Sequence, residues 1–265
     1  MRFVKAHACG NDFLIVEGPC DPALAKRLCE RHTGVGADGV EFFEAAGALS
    51  GRIRLANADG SVAEISGNGT RCVAAWLAHA QHAAPGNVIT LETDAGPRPC
   101  NLVAVDGPRF QISAGMGIPE VVPAEVTLPD KTLVRGIQVS IGNPHFVILV
   151  HDENFRAHGR GWQELGREVC FHKQFPQQTN VEFARMIRAG EIEIRIFERG
   201  VGPTTSSGTG TCASAAAVIA HCGGTSPLTV RAPGGSQRVD WPGPGTEMIL
   251  TGPAELIAEG EVLLA

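Results

Sequence analysis

Short runs rich in β-branched and aromatic residues recur along this chain from end to end, and two longer Ala-rich runs interrupt them. The short runs predict strands at 2–5, 13–17, 40–43, 53–56, 88–92, 101–105 and 109–113. A second series follows at 133–140, 146–150, 181–186, 191–197, 228–231, 238–241 and 247–251. The Ala-rich runs, TRCVAAWLAHAQH over 70–82 and TCASAAAVIAH over 211–221, are apolar nearly all round. That pattern predicts helices enclosed by their surroundings rather than laid on a surface. Further helices at 22–31 and 162–169 are expected to cover the outside. Each half of the chain thus reads as a mostly antiparallel sheet wrapped about one central helix.

The two halves are copies. Shifted by 141 residues, IRLANADGSVAEISGNGT (53–70) falls without gaps on IRIFERGVGPTTSSGTGT (194–211). Ile, Arg, Ser, Gly, Gly and Thr coincide, and the same shift lays Val40-Glu41-Phe42 on Val181-Glu182-Phe183. Neighbouring offsets align Gly10-Asn11 with Gly142-Asn143 and ITLETDAG (89–96) with LTVRAPGG (228–235). The period is too long for a solenoid, so the expectation is two similar domains. Their join is placed in the Pro- and Gly-rich stretch near 115–130. This gives an N-terminal domain over 1–118, joined by a C-terminal strand from 255–265, and a C-terminal domain over 119–254.

Composition narrows the function. The chain has 265 residues, 43% hydrophobic and 19% charged, with a formal net charge of −6. That is a soluble globular composition. No basic run exists to attract nucleic acid or an anionic membrane. No apolar segment is long enough for a signal peptide or a membrane span, so a cytoplasmic protein is expected. The absence of tyrosine excludes a tyrosyl acid or nucleophile. None of the eight cysteines forms a CxxC pair, which argues against zinc ribbons and thioredoxin-like chemistry. No His or carboxylate pair has metal-ligand spacing, so no metal is expected. Residues 34–39 match GxGxxG but follow a helix and precede a strand, the reverse of dinucleotide-binding order.

Two glycine-rich turns, Ser66-Gly67-Asn68-Gly69 and Ser207-Gly208-Thr209-Gly210, each lead from a strand to a central helix. Glycine permits a tight turn and close approach of a ligand to the main chain. The first amides of the helix, beside the positive end of its dipole, suit a carboxylate or phosphate. Each turn alone also reads as an ordinary N-cap, because serine is a favoured capping residue. Their duplication favours a ligand site with one turn contributed by each domain.

Together, several motifs resemble the diaminopimelate epimerase family. They are His7-Ala8-Cys9-Gly10-Asn11-Asp12-Phe13, Gly36-Ala37-Asp38-Gly39, Asn57-Ala58-Asp59-Gly60, Gly67-Asn68-Gly69-Thr70-Arg71-Cys72, Gly142-Asn143-Pro144-His145, Asn180-Val181-Glu182-Phe183, Glu198-Arg199-Gly200 and Gly208-Thr209-Gly210. They occur in the family's order through most of the chain. The resemblance implies an α/β (α+β type) fold of two pseudo-symmetric domains, each a curled, mostly antiparallel sheet around a central helix. It implies a homodimer that interconverts LL- and meso-diaminopimelate for lysine and cell-wall synthesis, with no organic cofactor and no metal. By position, Asn11, Asn57, Asn143, Asn180, Glu198 and Arg199 would hold the small amino-acid substrate, chiefly its distal end, with His145 in support. Arg199 can fork a carboxylate, Glu198 can pair with an ammonium, and the amides can orient both. The backbone of Gly67, Asn68, Gly208 and Thr209 would cradle the reacting carboxylate.

The family's chemistry places one acid/base on each face of Cα, and the resemblance implies cysteines immediately before the two turn glycines. Here those catalytic positions are Ser66 and Ser207. A hydroxyl is a much weaker acid than a thiol and needs a neighbouring base. The sequence places no obvious new base beside either serine. Cys72 and Cys212 lie further along the helices, while Cys9 is close to Asn11 in a ligand-loop motif. Three readings stay open: a thiol-to-hydroxyl variant of the epimerase, a divergent isomerase or dehydratase on a related amino acid, and a diaminopimelate-binding protein without turnover.

Overall fold

A computed structural model describes residues 1–63 and 65–263. Glu64 and the last two residues of the expected C-terminal strand lie outside this set. In chain order the elements are β1 (Arg2–Ala8), β2 (Asn11–Glu17), α1 (Pro22–Cys29), β3 (Gly39–Gly47), β4 (Ser50–Asn57), β5 (Val62–Ala63), α2 (Gly67–Ala80), β6 (Val88–Thr93), β7 (Gly96–Asp106) and β8 (Arg109–Gly117). The second series is β9 (Glu120–Thr127), β10 (Leu133–Ser140), β11 (Pro144–Leu149), α3 (Trp162–Cys170), β12 (Asn180–Arg188), β13 (Glu191–Glu198), β14 (Gly202–Thr204), α4 (Gly208–His221), β15 (Leu228–Ala232), β16 (Gly235–Asp240) and β17 (Met248–Glu261). The chain divides into unit 1, Met1–Gly115 with Thr251–Ala265, and unit 2, Met116–Leu250.

In unit 1 the strands run β17-β1-β2-β3-β4-β6-β7-β8, and β8 pairs back onto β17, closing the sheet. Only β2–β3 and β4–β6 among these ladders are parallel. Helix α2 fills the interior. Its Cys72, Val73, Ala74, Ala75, Leu77 and Ala78 are buried against Phe13, Ile15, Phe43 and Ile89. Small side chains on this helix let the strands approach it closely. The period of two along β2 explains why that strand is buried on both faces. Phe13 and Ile15 point to α2, while Leu14 and Val16 pack with Ala25 and Leu28 of α1 outside.

Unit 2 repeats the plan in the order β9-β10-β11-β12-β13-β15-β16, with β11–β12 and β13–β15 parallel. Helix α4 packs against Val147, Ile192, Ile194 and Val230, and α3 packs on the opposite face against Phe146, Ile148 and Phe183. The 141-residue offset holds residue for residue from β3, β4 and α2 onto β12, β13 and α4.

Three features differ from the sequence reading. The units divide at Gly115/Met116, at the edge of the expected join near 115–130, but most of that stretch is strand, since β8 runs to Gly117 and β9 pairs with β10 over its full length. Pro123 hides this strand from a propensity reading, although proline is tolerated where its missing N–H is not needed by a ladder. The central helices start at Gly67 and Gly208, three residues before the expected Thr70 and Thr211. The turn glycines therefore form the first helical turn. Finally, the strand expected at 247–251 and the C-terminal strand expected from 255 form one continuous strand, β17, to Glu261.

Candidate active site

Both serines are N-caps with extended backbone. Ser66 Oγ accepts the Gly69 amide at 3.1 Å, and Ser207 Oγ accepts the Gly210 amide at 3.2 Å. Each hydroxyl is held at the positive end of a buried helix, beside the amides of the next two residues. The glycine at the third helical position is required in both units. A Cβ on Gly69 would sit 1.9 Å from Glu41 Oε1, and one on Gly210 would sit 2.7 Å from Glu182 Oε1. The two glutamates occupy equivalent repeat positions, on strands whose alternate residues face the outer helix. Their carboxyls therefore press on the first turn of the central helix.

In unit 1, Asn11 and Asn68 meet: Asn68 Nδ2 donates to Asn11 Oδ1 at 3.2 Å. Asn11 Nδ2 donates to Asp38 Oδ2 at 2.8 Å. Asp38 and Asp12 are in turn held by Arg31, and Asp12 also by Lys5 at 3.0 Å. Asn57 is engaged within its own turn, donating to Ser61 Oγ at 2.9 Å. Glu41 is fully buried, and neither carboxyl oxygen has a hydrogen-bond partner among the described residues. Burial pushes its pKa up to about 8. Cys9 is buried, with left-handed backbone at φ 53°. Cys72 lies in the core, where burial pushes its thiol pKa up.

Unit 2 assembles a denser set. His145, fully buried, bonds Glu182 Oε1 through Nδ1 at 2.8 Å and Asn143 Oδ1 through Nε2 at 2.9 Å. Asn143 Nδ2 donates to Thr209 Oγ1 at 3.3 Å, tying the chain to the start of α4. The loop asparagine and the second helical residue thus meet in both units. Asn180 Oδ1 accepts the Arg199 amide at 3.0 Å, while the Arg199 guanidinium lies on the exposed side, within 3.5 Å of Gln177 O.

The sequence places no obvious new base beside either serine, and the structure brings Glu198 near one of them. Glu198 accepts the Thr204 hydroxyl at 3.0 Å, and the Ser207 hydroxyl is among the neighbours that hold its carboxyl down. Burial raises its pKa above the ordinary carboxylate value and the Glu182 charge adds to that, while the Thr204 and Ser207 bonds and His145 oppose it. The missed signal was topological. The short strand β14 turns back along β13, pairing Glu198 with Gly202, and so returns residue 207 to residue 198. Glu182 and Glu41 were legible, because the repeat places an acid at the same position of two otherwise apolar strands.

Solved structures with this architecture include phenazine biosynthesis proteins, a probable proline racemase and a hydroxyproline epimerase. A PhzF-family phenazine biosynthesis protein from Bacillus anthracis superposes with a TM-score of 0.73 at 17% identity, covering 100% of this chain and 99% of that one. A hydroxyproline epimerase from Agrobacterium vitis gives 0.71 at 17% identity, covering 98% and 91%. At such identities the likeness establishes the fold. The sequence is more specific. A family model for diaminopimelate epimerase matches residues 3–122 and 137–257. The diaminopimelate epimerase of Desulforudis audaxviator is 37% identical, covering 98% of this chain and 99% of the relative. That of Azoarcus sp. is 36% identical, covering 100% and 99%. The chain belongs to the diaminopimelate epimerase family.

Proposed function

We propose that this protein is an isomerase that moves the α-proton of LL- or meso-diaminopimelate, using the positions of Ser66 and Ser207 and no organic cofactor or metal. Inversion at Cα needs a group on each face, one to take the proton and one to return it. The repeat supplies two equivalent groups, one in each unit. On the Ser207 side, Glu198 stands near the hydroxyl, whose oxygen accepts a helix amide. As Ser207 Oγ takes the Cα proton, its own proton passes to Glu198, and the electron pair of the broken C–H bond enters the substrate carboxylate. The epimerase reading gives Ser66 the return of a proton to Cα, and the proton held by Glu198 then passes back to Ser66 through solvent, which restores both groups. In each unit the first-turn amides, at Gly67 and Asn68 and at Gly208 and Thr209, suit a substrate carboxylate and would stabilise the charge it gains. Asn11, Asn57, Asn143, Asn180 and Arg199 orient the rest of the amino acid, with Arg199 offered to the distal carboxylate. The family reading adds a cytoplasmic homodimer that needs neither nucleic acid nor membrane.

The observation that carries this reading is the match to the family along the chain, with the Glu198 carboxyl near Ser207. A second reading, binding without turnover, is favoured by the hydroxyl at Ser66, whose oxygen is already engaged as a cap. Glu198→Gln separates the two. On the epimerase reading it should slow deuterium uptake at Cα by about a hundredfold or more, the ordinary scale of general-base loss. An unchanged rate would remove Glu198 from the mechanism.

A further inference from the structure

Arg71 is 2% exposed and lies one turn into α2. Its guanidinium lies against the backbone of Gly252, where a Cβ would stand 3.1 Å from Nε and 3.2 Å from Cζ. Only glycine leaves that bed open. Nη2 donates to Asn68 Oδ1 at 2.6 Å, and Nε points at Pro253 O at 3.5 Å. From Asn68 the bonds continue to Asn11 and then to Asp38.

We infer that Arg71 is a positioning residue for the ligand amides of unit 1, the anchor of a polarised relay Arg71–Asn68–Asn11–Asp38. An amide can face either way, so something must choose. A guanidinium has donors only and keeps its charge, so Asn68 must turn its oxygen to Arg71. A carboxylate has acceptors only, so Asn11 must turn its NH2 to Asp38. With both ends fixed, the middle link has one solution: Asn68 NH2 to Asn11 oxygen. Each bond polarises the next. The result is that both amides hold one fixed orientation before a ligand arrives.

The second unit reaches a comparable state by other means. At the repeat offset Arg71 corresponds to Cys212 and Asn68 to Thr209, and Asn11 corresponds to Asn143. There the loop asparagine is fixed by His145, itself held by Glu182. In that unit a histidine and a hydroxyl, each able to donate or accept, face the loop asparagine, in place of the fixed donor and fixed acceptor that face the amides of unit 1.

The consequence for ligand binding rests on the function proposed above, whereas the relay itself does not. Both are tested on the full chain by the side-chain NH2 signals of Asn11 and Asn68 in 15N-labelled protein, and by calorimetry with LL-diaminopimelate. In Arg71→Met both amide signals should move and the Kd should weaken about tenfold, the scale of one buried hydrogen bond left unmade. Arg71→Lys, which can still donate, should recover most of both changes. Asn68→Asp keeps an acceptor for Arg71 and removes the donor to Asn11, so the Asn11 signals should shift even if Arg71→Met does not fold. Unmoved Asn11 signals in Asn68→Asp would overturn the relay. Amide shifts in folded Arg71→Met with an unchanged Kd would overturn the positioning role. Absence of diaminopimelate binding to the unmodified chain would instead defeat the substrate assignment, with the amide signals still deciding the relay.

Discussion

Replacing Ser66 and Ser207 together by cysteine should speed deuterium uptake at Cα of LL-diaminopimelate by two to four powers of ten, roughly the full contribution of a matched acid/base. The physical reason is acidity. A thiol begins near pKa 8.5, and a helix N-terminus lowers it toward neutrality. Both positions cap buried helices and both oxygens already accept a first-turn amide, at 3.1 and 3.2 Å. A sulfur there would sit in the same field. The two single variants should not be equal. Ser207 has Glu198 to receive its proton, so Ser207→Cys exchanges one working arrangement for another. Ser66→Cys adds a tunable acid where, among the described residues, the cap hydroxyl has only the helix start as its partner, and should account for most of the gain. Single-variant exchange rates measured by proton NMR check this ordering. Equal gains from the two would contradict the role given to Glu198.

Glu41→Leu should stabilise the protein, and by more at pH 8 than at pH 5. Burial shifts the Glu41 pKa from 4.5 up to about 8. The folded state therefore binds this proton more tightly than the unfolded state does. The associated stability is fully present below the unfolded value and is lost as pH rises through the folded one. Across that window the wild type forfeits a few kcal/mol that the leucine variant keeps, since a tenfold difference in proton affinity corresponds to about 1.4 kcal/mol. Leucine also removes two buried carboxyl oxygens that lack partners among the described residues. Urea denaturation at pH 5 and pH 8 measures the difference, and a gap that is the same at both would contradict the assignment. The equivalent Glu182→Leu should destabilise instead, because it leaves His145 without its 2.8 Å partner.

The contrast between these two glutamates indicates what the sequence carried and what it did not. The repeat, its 141-residue offset and the two enclosed helices were legible because duplication and all-round apolarity are one-dimensional signals. So was the motif resemblance that singled out Asn11, Asn68, Asn143 and His145. Their partnerships were not. Asn11 and Asp38 meet because β2 pairs in parallel with β3, and Asn68 reaches Asn11 from the start of α2, so three separate segments combine. Glu198 reaches Ser207 only because β14 folds back on β13. Strand β9 was hidden by Pro123, whose cost depends on which backbone groups face a neighbour. Glu41 and Glu182 look identical in sequence and differ in what faces them. The repeat position that holds His145 in unit 2 holds Phe13 in unit 1.

The most direct test of the central claim uses the unmodified protein, LL-diaminopimelate and deuterated water, followed by proton NMR at Cα. The account predicts saturable binding with slow loss of one α-proton signal and accumulation of the meso isomer, abolished by Glu198→Gln. Saturated binding with no deuterium entering Cα would contradict it.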